Sequence, residues 1–275
     1  MGQLNGMVAF ITGAARGQGR SHAVHLAREG VDIIAVDIAD QVTTAPYPTA
    51  TAADMAETVR QVEALGRKIV TAEADVRDLD ALQQAADRGV DAFGRIDIVL
   101  ANAGISAPAS TLGMSEATWS EMIDINLTGV WKTIKVAVPH IQAGGRGGSV
   151  VITSSLAAMK SNANIAHYSA AKAGLVGLMR VLAKELAPEN IRVNTIHPTT
   201  VKTEMVLNDA TYRLFRPDLE NPDEDDFIAS ASRLNALPIP VTEVDDISAA
   251  VMYLVGTNGR AVTGITHVVD AGGAL

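Results

Sequence analysis

The chain of 275 residues contains no cysteine. Disulfides, thiolate metal sites and cysteine nucleophiles are therefore excluded. Aromatic residues make up only 4% of it, so a core must be assembled mainly from Ala, Val, Ile and Leu. Basic residues are outnumbered, 22 Lys and Arg against 31 Asp and Glu, and the formal net charge is −9. Sequence-independent nucleic-acid binding needs a basic footprint that this balance lacks. Any phosphate would have to be held by local backbone dipoles against an unfavourable overall field. No uninterrupted apolar run approaches the roughly 20 residues of a membrane span. Nor does the N-terminus show the charged-then-apolar pattern of a signal peptide. The expectation is a cytoplasmic protein with no metal site and no nucleic-acid or membrane partner.

What is present is alternation. Short β-branched runs at 7–12, 31–37, 68–74, 96–101, 149–154, 191–197 and 264–269 are separated by segments with apolar residues at helical spacing, at 21–29, 54–65, 79–93, 116–138, 168–186 and 246–255. The runs are almost continuously apolar, as strands covered on both faces must be. This predicts an α/β fold: a Rossmann-like, doubly wound, seven-stranded parallel sheet in a single domain, residues 1–275. Two stretches interrupt the rhythm. Residues 38–53 form a long Thr-, Ala- and Pro-rich connection, and 199–240 holds Tyr212, Phe215, Phe227 and several Met and Leu. Loops of such length are uncommon and often functional. The second is expected to be a helical substrate lid, with the acidic run from Asp223 to Asp226 as a solvated helix start.

Thr12-Gly13-Ala14-Ala15-Arg16-Gly17-Gln18-Gly19 follows the first strand and opens the first helix. Glycines there let the backbone approach a pyrophosphate, and the helix N-terminus presents free N–H groups. Asp37 ends the second strand, where a carboxylate accepts from the adenosine ribose hydroxyls and repels a 2′-phosphate. That favours NAD over NADP. Arg16 argues the other way, since a cation beside the turn can pair with a 2′-phosphate. Asp75-Val76 after the third strand is placed to border the adenine, with Asp75 alternatively a helix N-cap. The small residues Asn102-Ala103-Gly104 end the fourth strand and would let the chain pass close to a cofactor.

Tyr168 and Lys172 stand four apart, hence on one face of a helix. A free Tyr has a pKa of about 10, and a nearby ammonium favours its phenolate. A Tyr so tuned can take a proton from an alcohol as hydride leaves the carbon, or give it to a carbonyl. Ser154-Ser155 ends the fifth strand, and Asn126 lies in mid-helix, where its amide can hold a water that relays protons through Lys172. Each has an ordinary structural reading by itself, Asn126 as a helix defect with a back-bonded side chain. Their co-occurrence with the glycine turn is what points to catalysis.

These motifs together resemble those of the short-chain dehydrogenase/reductase family. The resemblance runs over nearly the whole chain, and the 13-residue spacing from Ser155 to Tyr168 selects Ser155 over Ser154. It implies that Asn126, Ser155, Tyr168 and Lys172 act in catalysis. The cofactor would be held by Gly13, Ala15, Arg16, Gly17, Gln18, Gly19, Asp37, Asp75, Val76, Asn102, Ala103, Gly104, Tyr168 and Lys172. Pro198, Val201 and Thr203 would flank the nicotinamide and pyrophosphate. It also implies a homotetramer built on the faces of the 116–138 and 168–186 helices. Ala101 and Thr199 depart from the family pattern without removing a reacting group. The first-helix segment, the 38–53 insertion and the stretch from His197 to Pro222 resemble the mycofactocin-coupled dehydrogenases, a subgroup that includes carveol dehydrogenases. That resemblance implies an insertion lying over slowly exchanging NAD and a redox partner, mycofactocin. The expected wall of the substrate pocket is residues 106–112, Leu156, Asn162 and residues 205–237. It is mainly apolar with no evident basic anchor, and suits a hydrophobic secondary alcohol, carveol-like, and its ketone. The competing readings are an NADP-dependent carbonyl reductase of the same family and a non-catalytic NAD sensor.

Overall fold

Seven aliphatic runs pair into one parallel sheet: β1 (Val8–Thr12), β2 (Asp32–Asp37), β3 (Ile69–Glu73), β4 (Ile98–Ala101), β5 (Gly148–Thr153), β6 (Ile191–Pro198) and β7 (Thr266–Val269). The structure, a computed structural model, describes residues 2–275. The strand order is β3-β2-β1-β4-β5-β6-β7, so the direction of winding reverses between β1 and β4. At such a switch point the loops leaving neighbouring strands diverge and open a crevice.

Period-two alternation assigns the strand side chains to two cores. Phe10, Ile34, Val36, Val99, Val150 and Ile152 face one way. Ile11, Ile33, Ala35, Ile98, Leu100 and Val151 face the other. The first core is closed by α3 (Leu79–Phe93), α5 (Gly129–Gly144) and α6 (Ala166–Leu186), and the second by α1 (Gly17–Arg28) and α9 (Val244–Val255). With so few aromatics the helices can sit close to the sheet: a Cβ on Gly89 of α3 would lie 2.2 Å from Ile34 Cδ1.

The predicted helices are present, with boundaries shifted by a few residues. The first begins at Gly17, four residues earlier than the apolar pattern suggests, because its opening turn is made of small and polar residues. The predicted 116–138 helix is α4 (Glu116–Ile123), a π-helical turn at Asp124–Thr128 and then α5. Ala52–Ala64 is α2, capped reciprocally by Thr51 and Asp54. The stretch at 199–240 carries two helices, α7 (Asp209–Phe215) and α8 (Glu224–Ser232). Asp223 caps α8 through a capping box with Asp226, so the acidic run does start a helix, where its charge suits the helix dipole. Phe227 joins the pair by packing against Phe215 edge-on at 4.9 Å and against Tyr212 at 5.5 Å. Among the described residues no helix is long and apolar enough to cross a membrane.

Asp97, at the entry to β4, is 4% exposed. Its carboxylate accepts from the backbone N–H of Val8 at 2.9 Å and from Arg95 at 2.6 and 2.7 Å. Asp97→Ala leaves a buried N–H without an acceptor and a guanidinium without its partner. We expect a loss of ~2–3 kcal/mol in urea unfolding; an unchanged midpoint would show that the pair contributes nothing to the β1–β4 seam.

Candidate active site

The glycine turn is shaped by close approach. Gly13 has φ +67°, and a Cβ there would lie 2.9 Å from Ala103 Cα. At Gly19 a Cβ would lie 1.9 Å from the carbonyl oxygen of Gly13. Only glycine permits either contact. Arg16 stands at the N-cap of α1 without a capping side chain, and the first turn holds no acidic residue. The helix therefore offers its N–H groups and its positive end to an external anion. Two residues that sequence inspection overlooked pin the turn from behind. Arg20 donates to the carbonyl of Ala15 at 2.7 Å, and Thr58 Oγ1 donates to the same carbonyl at 2.8 Å. Nothing in their local sequence marks them, since their partners are 5 and 43 residues away.

Asp37 is 9% exposed at the end of β2. Its carboxylate accepts from the N–H of Ala15 at 3.0 Å, and more weakly from that of Ala39 at 3.4 Å. Burial raises its pKa, while these backbone donors oppose the rise. Ala15 is therefore an internal support for Asp37 and does not line the crevice, unlike the rest of the expected cofactor set. Arg16 donates to the carbonyl of Pro48 in the insertion and keeps its charge at the crevice wall, where it also opposes the rise in the Asp37 pKa. Asp75 borders the crevice but is no N-cap: its carboxylate binds Arg77 at 2.6 Å, and Asp78 caps α3. Gln18 Oε1 is buried without a partner, a polar atom at the crevice wall awaiting a donor. The cradle left by two glycines, the uncapped helix, the fixed carboxylate and this orphaned oxygen fit a dinucleotide.

The catalytic candidates come together along the same crevice. Lys172 is 3% exposed, and its ammonium donates to the carbonyl of Thr153 at 2.8 Å. It lies 5.7 Å from the centre of the Tyr168 ring. A Cβ on Gly104 would meet Lys172 Nζ at 3.4 Å and Asn126 Oδ1 at 2.5 Å, which shows how tightly the three residues converge. Asn126 sits in the π-helical turn, and its amide binds both the N–H and the carbonyl of Ile105, each at 3.1 Å. It also donates to Met122 O. Its amide is thus committed to shaping the strand-end loop, a constraint that the sequence reading of a water-holding amide lacked. π-turns of this kind recur at functional sites.

The electrostatics differ from expectation in one respect. Burial pushes the Tyr168 phenol up, and the side chain that draws it back down is Ser155. Lys172 is itself lowered to about 8 by burial, so its charge is costly to hold. Ser155 is oriented from behind by His197, which is fully buried and donates from Nδ1 to the Ser155 carbonyl at 2.9 Å. The Ser155 hydroxyl also accepts from the N–H of Ala157 at 3.1 Å.

The remaining wall is mainly apolar, with Lys160 and Glu204 as its charged members. Leu156, Met205, Val206, Leu214, Phe215 and Leu234 line it together with Ser106, Pro108 and Asn162. Leu112 does not: it is 98% exposed, because the loop turns outward after Pro108. Lys160 is a basic residue on this wall, but its ammonium is engaged by the Gly273 carbonyl at 2.7 Å. The insertion adds Ile38, Val42, Tyr47, Thr49 and Ala50 to the lining.

The profile of the family described as short chain dehydrogenase matches residues 7–212. The chain belongs to this family of oxidoreductases. It is 55% identical to a (−)-trans-carveol dehydrogenase of Rhodococcus erythropolis, with 100% of both chains covered. A carveol dehydrogenase from Mycobacterium avium, solved in complex with NAD, superposes with a TM-score of 0.98 at 53% identity over 99% of each chain. A short chain dehydrogenase from Mycobacterium paratuberculosis bound to NAD gives a TM-score of 0.88 at 42% identity, again over 99% of each chain.

The buried ammonium has a measurable consequence. The folded chain releases the Lys172 proton near pH 8, whereas an unfolded lysine keeps it to about 10.5. Between these values the unfolded state binds more protons, so stability rises with pH. Relative to Lys172→Met, the cofactor-free protein should gain up to ~3 kcal/mol in unfolding free energy from about pH 8 to about pH 10. Parallel urea curves for the two proteins would expose a flat difference, which would contradict burial of the charge.

Proposed function

We propose that the protein is an NAD-dependent dehydrogenase that interconverts a hydrophobic secondary alcohol, carveol-like, with its ketone. The observation that carries this reading is the convergence of Tyr168, Lys172 and Ser155 on an apolar wall beside a dinucleotide cradle. The close relatives named for carveol and solved with NAD support it. The glycine turn and Asp37 would hold NAD, which would supply the hydride acceptor for the carbinol carbon. Ser155 would donate to the substrate oxygen and orient it. Ser155 opposes the rise that burial imposes on the Tyr168 phenol, and the Lys172 ammonium lies 5.7 Å from its ring centre. Tyr168 would have to be ionised to take the hydroxyl proton as the ketone forms. In reduction it returns that proton to the carbonyl oxygen. Asn126 would act from a distance, by holding Ile105 and the residues around Lys172.

Asp37 would receive the adenosine ribose hydroxyls, and its charge disfavours a 2′-phosphate. Residues 38–53 would cover the dinucleotide and slow its exchange, and the electrons would then pass to a redox partner, mycofactocin. Two anchors support the cover: Arg16 to Pro48 O, and Thr44 N–H to Glu121 at 3.1 Å. Residues 199–240 would form the substrate lid of a single domain. Exposed Trp119, Trp131 and Val181 on α4, α5 and α6 favour a homotetramer through those faces.

Alcohol oxidation by the purified protein with an artificial electron acceptor tests the reading directly; turnover confined to polyols or hydroxy acids would sink it. Tyr168→Phe should lose at least ~100-fold in turnover while fluorescence titration still detects NAD binding. Near-normal rates in that variant would refute the assignment of the acid/base. Asp37→Ala should weaken NAD binding by about tenfold or more and erase the preference over NADP. Unchanged selectivity would remove Asp37 from the cofactor site.

A further inference from the structure

Tyr47 is the single aromatic residue of the insertion, set between Pro46 and Pro48. Both prolines restrict the backbone around it. The segment is further folded on itself by Gln41, whose side-chain amide donates to the carbonyls of Val42 at 3.0 Å and Tyr47 at 3.2 Å. Thr49 N–H returns a bond to Gln41 Oε1 at 3.1 Å. Tyr47 is therefore delivered by a stiff loop, and it is 5% exposed. Its ring lines the crevice that Tyr168, Ser106 and Pro108 also line.

The hydroxyl is where the position becomes informative. It accepts from the backbone N–H of Ser106 at 3.1 Å, across 59 residues of chain. Ser106 belongs to the loop that leaves β4 and forms the near wall of the substrate side. The same loop is held one residue earlier by Asn126 through both backbone groups of Ile105. Burial, with the neighbouring Tyr168 phenol adding to it, pushes the Tyr47 hydroxyl up to about 12, so it stays protonated through the neutral range. A ring that served only as an apolar cover would need no hydroxyl, and phenylalanine would do as well.

We propose that Tyr47 is a positioning residue of the substrate site: by binding the Ser106 N–H it fastens the substrate wall to the insertion, so that the segment lying along the cofactor side also sets the width of the substrate side. The two halves of the crevice then form one mechanical unit. This kinetic consequence rests on the alcohol-oxidising reading given above; the latch itself does not.

Tyr47→Phe separates the alternatives, since it keeps the ring, both prolines and the Gln41 bonds. Hydrogen–deuterium exchange is read over the peptide spanning 105–113 and over the insertion, alongside NAD titration and steady-state oxidation of carveol with an artificial acceptor. The latch predicts exchange at Ser106 about tenfold faster, with the insertion unchanged. It also predicts a KM for carveol raised about tenfold, kcat within about threefold, and NAD affinity within about twofold. Unchanged exchange at Ser106, or unchanged KM, overturns the proposal. If the wild-type protein shows no alcohol turnover at all, the functional reading fails, and the exchange result alone decides whether Tyr47 holds the wall.

Discussion

One amide joins three strand ends. Asn102 Nδ2 donates to the carbonyls of Thr12 at 3.2 Å and Gly13 at 3.3 Å, while its Oδ1 accepts from Thr153 at 3.2 Å. Its own N–H is taken by Thr12 Oγ1 at 3.2 Å. β1, β4 and β5 are thereby tied together just where the winding reverses. A crevice at a switch point would otherwise expose unpaired strand ends, and buried backbone groups without partners are costly. The glycine turn can rest against Ala103, and the Lys172 ammonium can reach the Thr153 carbonyl, because those three ends are held in register.

From that platform outward, the site is built by backbone groups serving as fixed partners. Asp37 is held by Ala15 and Ala39, Lys172 by Thr153, Asn126 by Ile105, and the Ser155 hydroxyl by Ala157. Backbone partners cannot rotate away, so the polar side chains keep their geometry inside an apolar surround. That surround is what raises Tyr168 and lowers Lys172. That burial makes either charge expensive to hold alone, so the charged forms depend on partners within the site.

The insertion obeys a similar logic. Its buried residues Val42, Ala45 and Tyr47 extend the core on the α3 and α5 side of the sheet. Its polar ties reach α1, α4 and the loop after β4. Residues 38–51 have no helix or strand of their own and become ordered through these core contacts, the internal Gln41 bonds and fixed partners on neighbouring elements.

The alternation of strands and helices, the glycine turn and the Tyr168–Lys172 spacing were legible in the chain because they are local. Periodicity of two and of 3.6, a Gly at a left-handed turn and a four-residue step on a helix each need only neighbouring residues. The family follows from the same short patterns. Contacts that span the fold were not legible. Thr58 behind the turn, His197 behind Ser155, Tyr47 against Ser106 and the contact of Arg16 with Pro48 all join residues far apart in the chain. So does the pairing of Ala15 with Asp37; the capping of α3 by Asp78 instead of Asp75 and the exposure of Leu112 are local outcomes that the residue pattern left open. Composition and local pattern determined which residues could do chemistry. Only tertiary packing decided which partners they met, because a buried polar group takes whichever donor or acceptor the fold brings within about 3 Å.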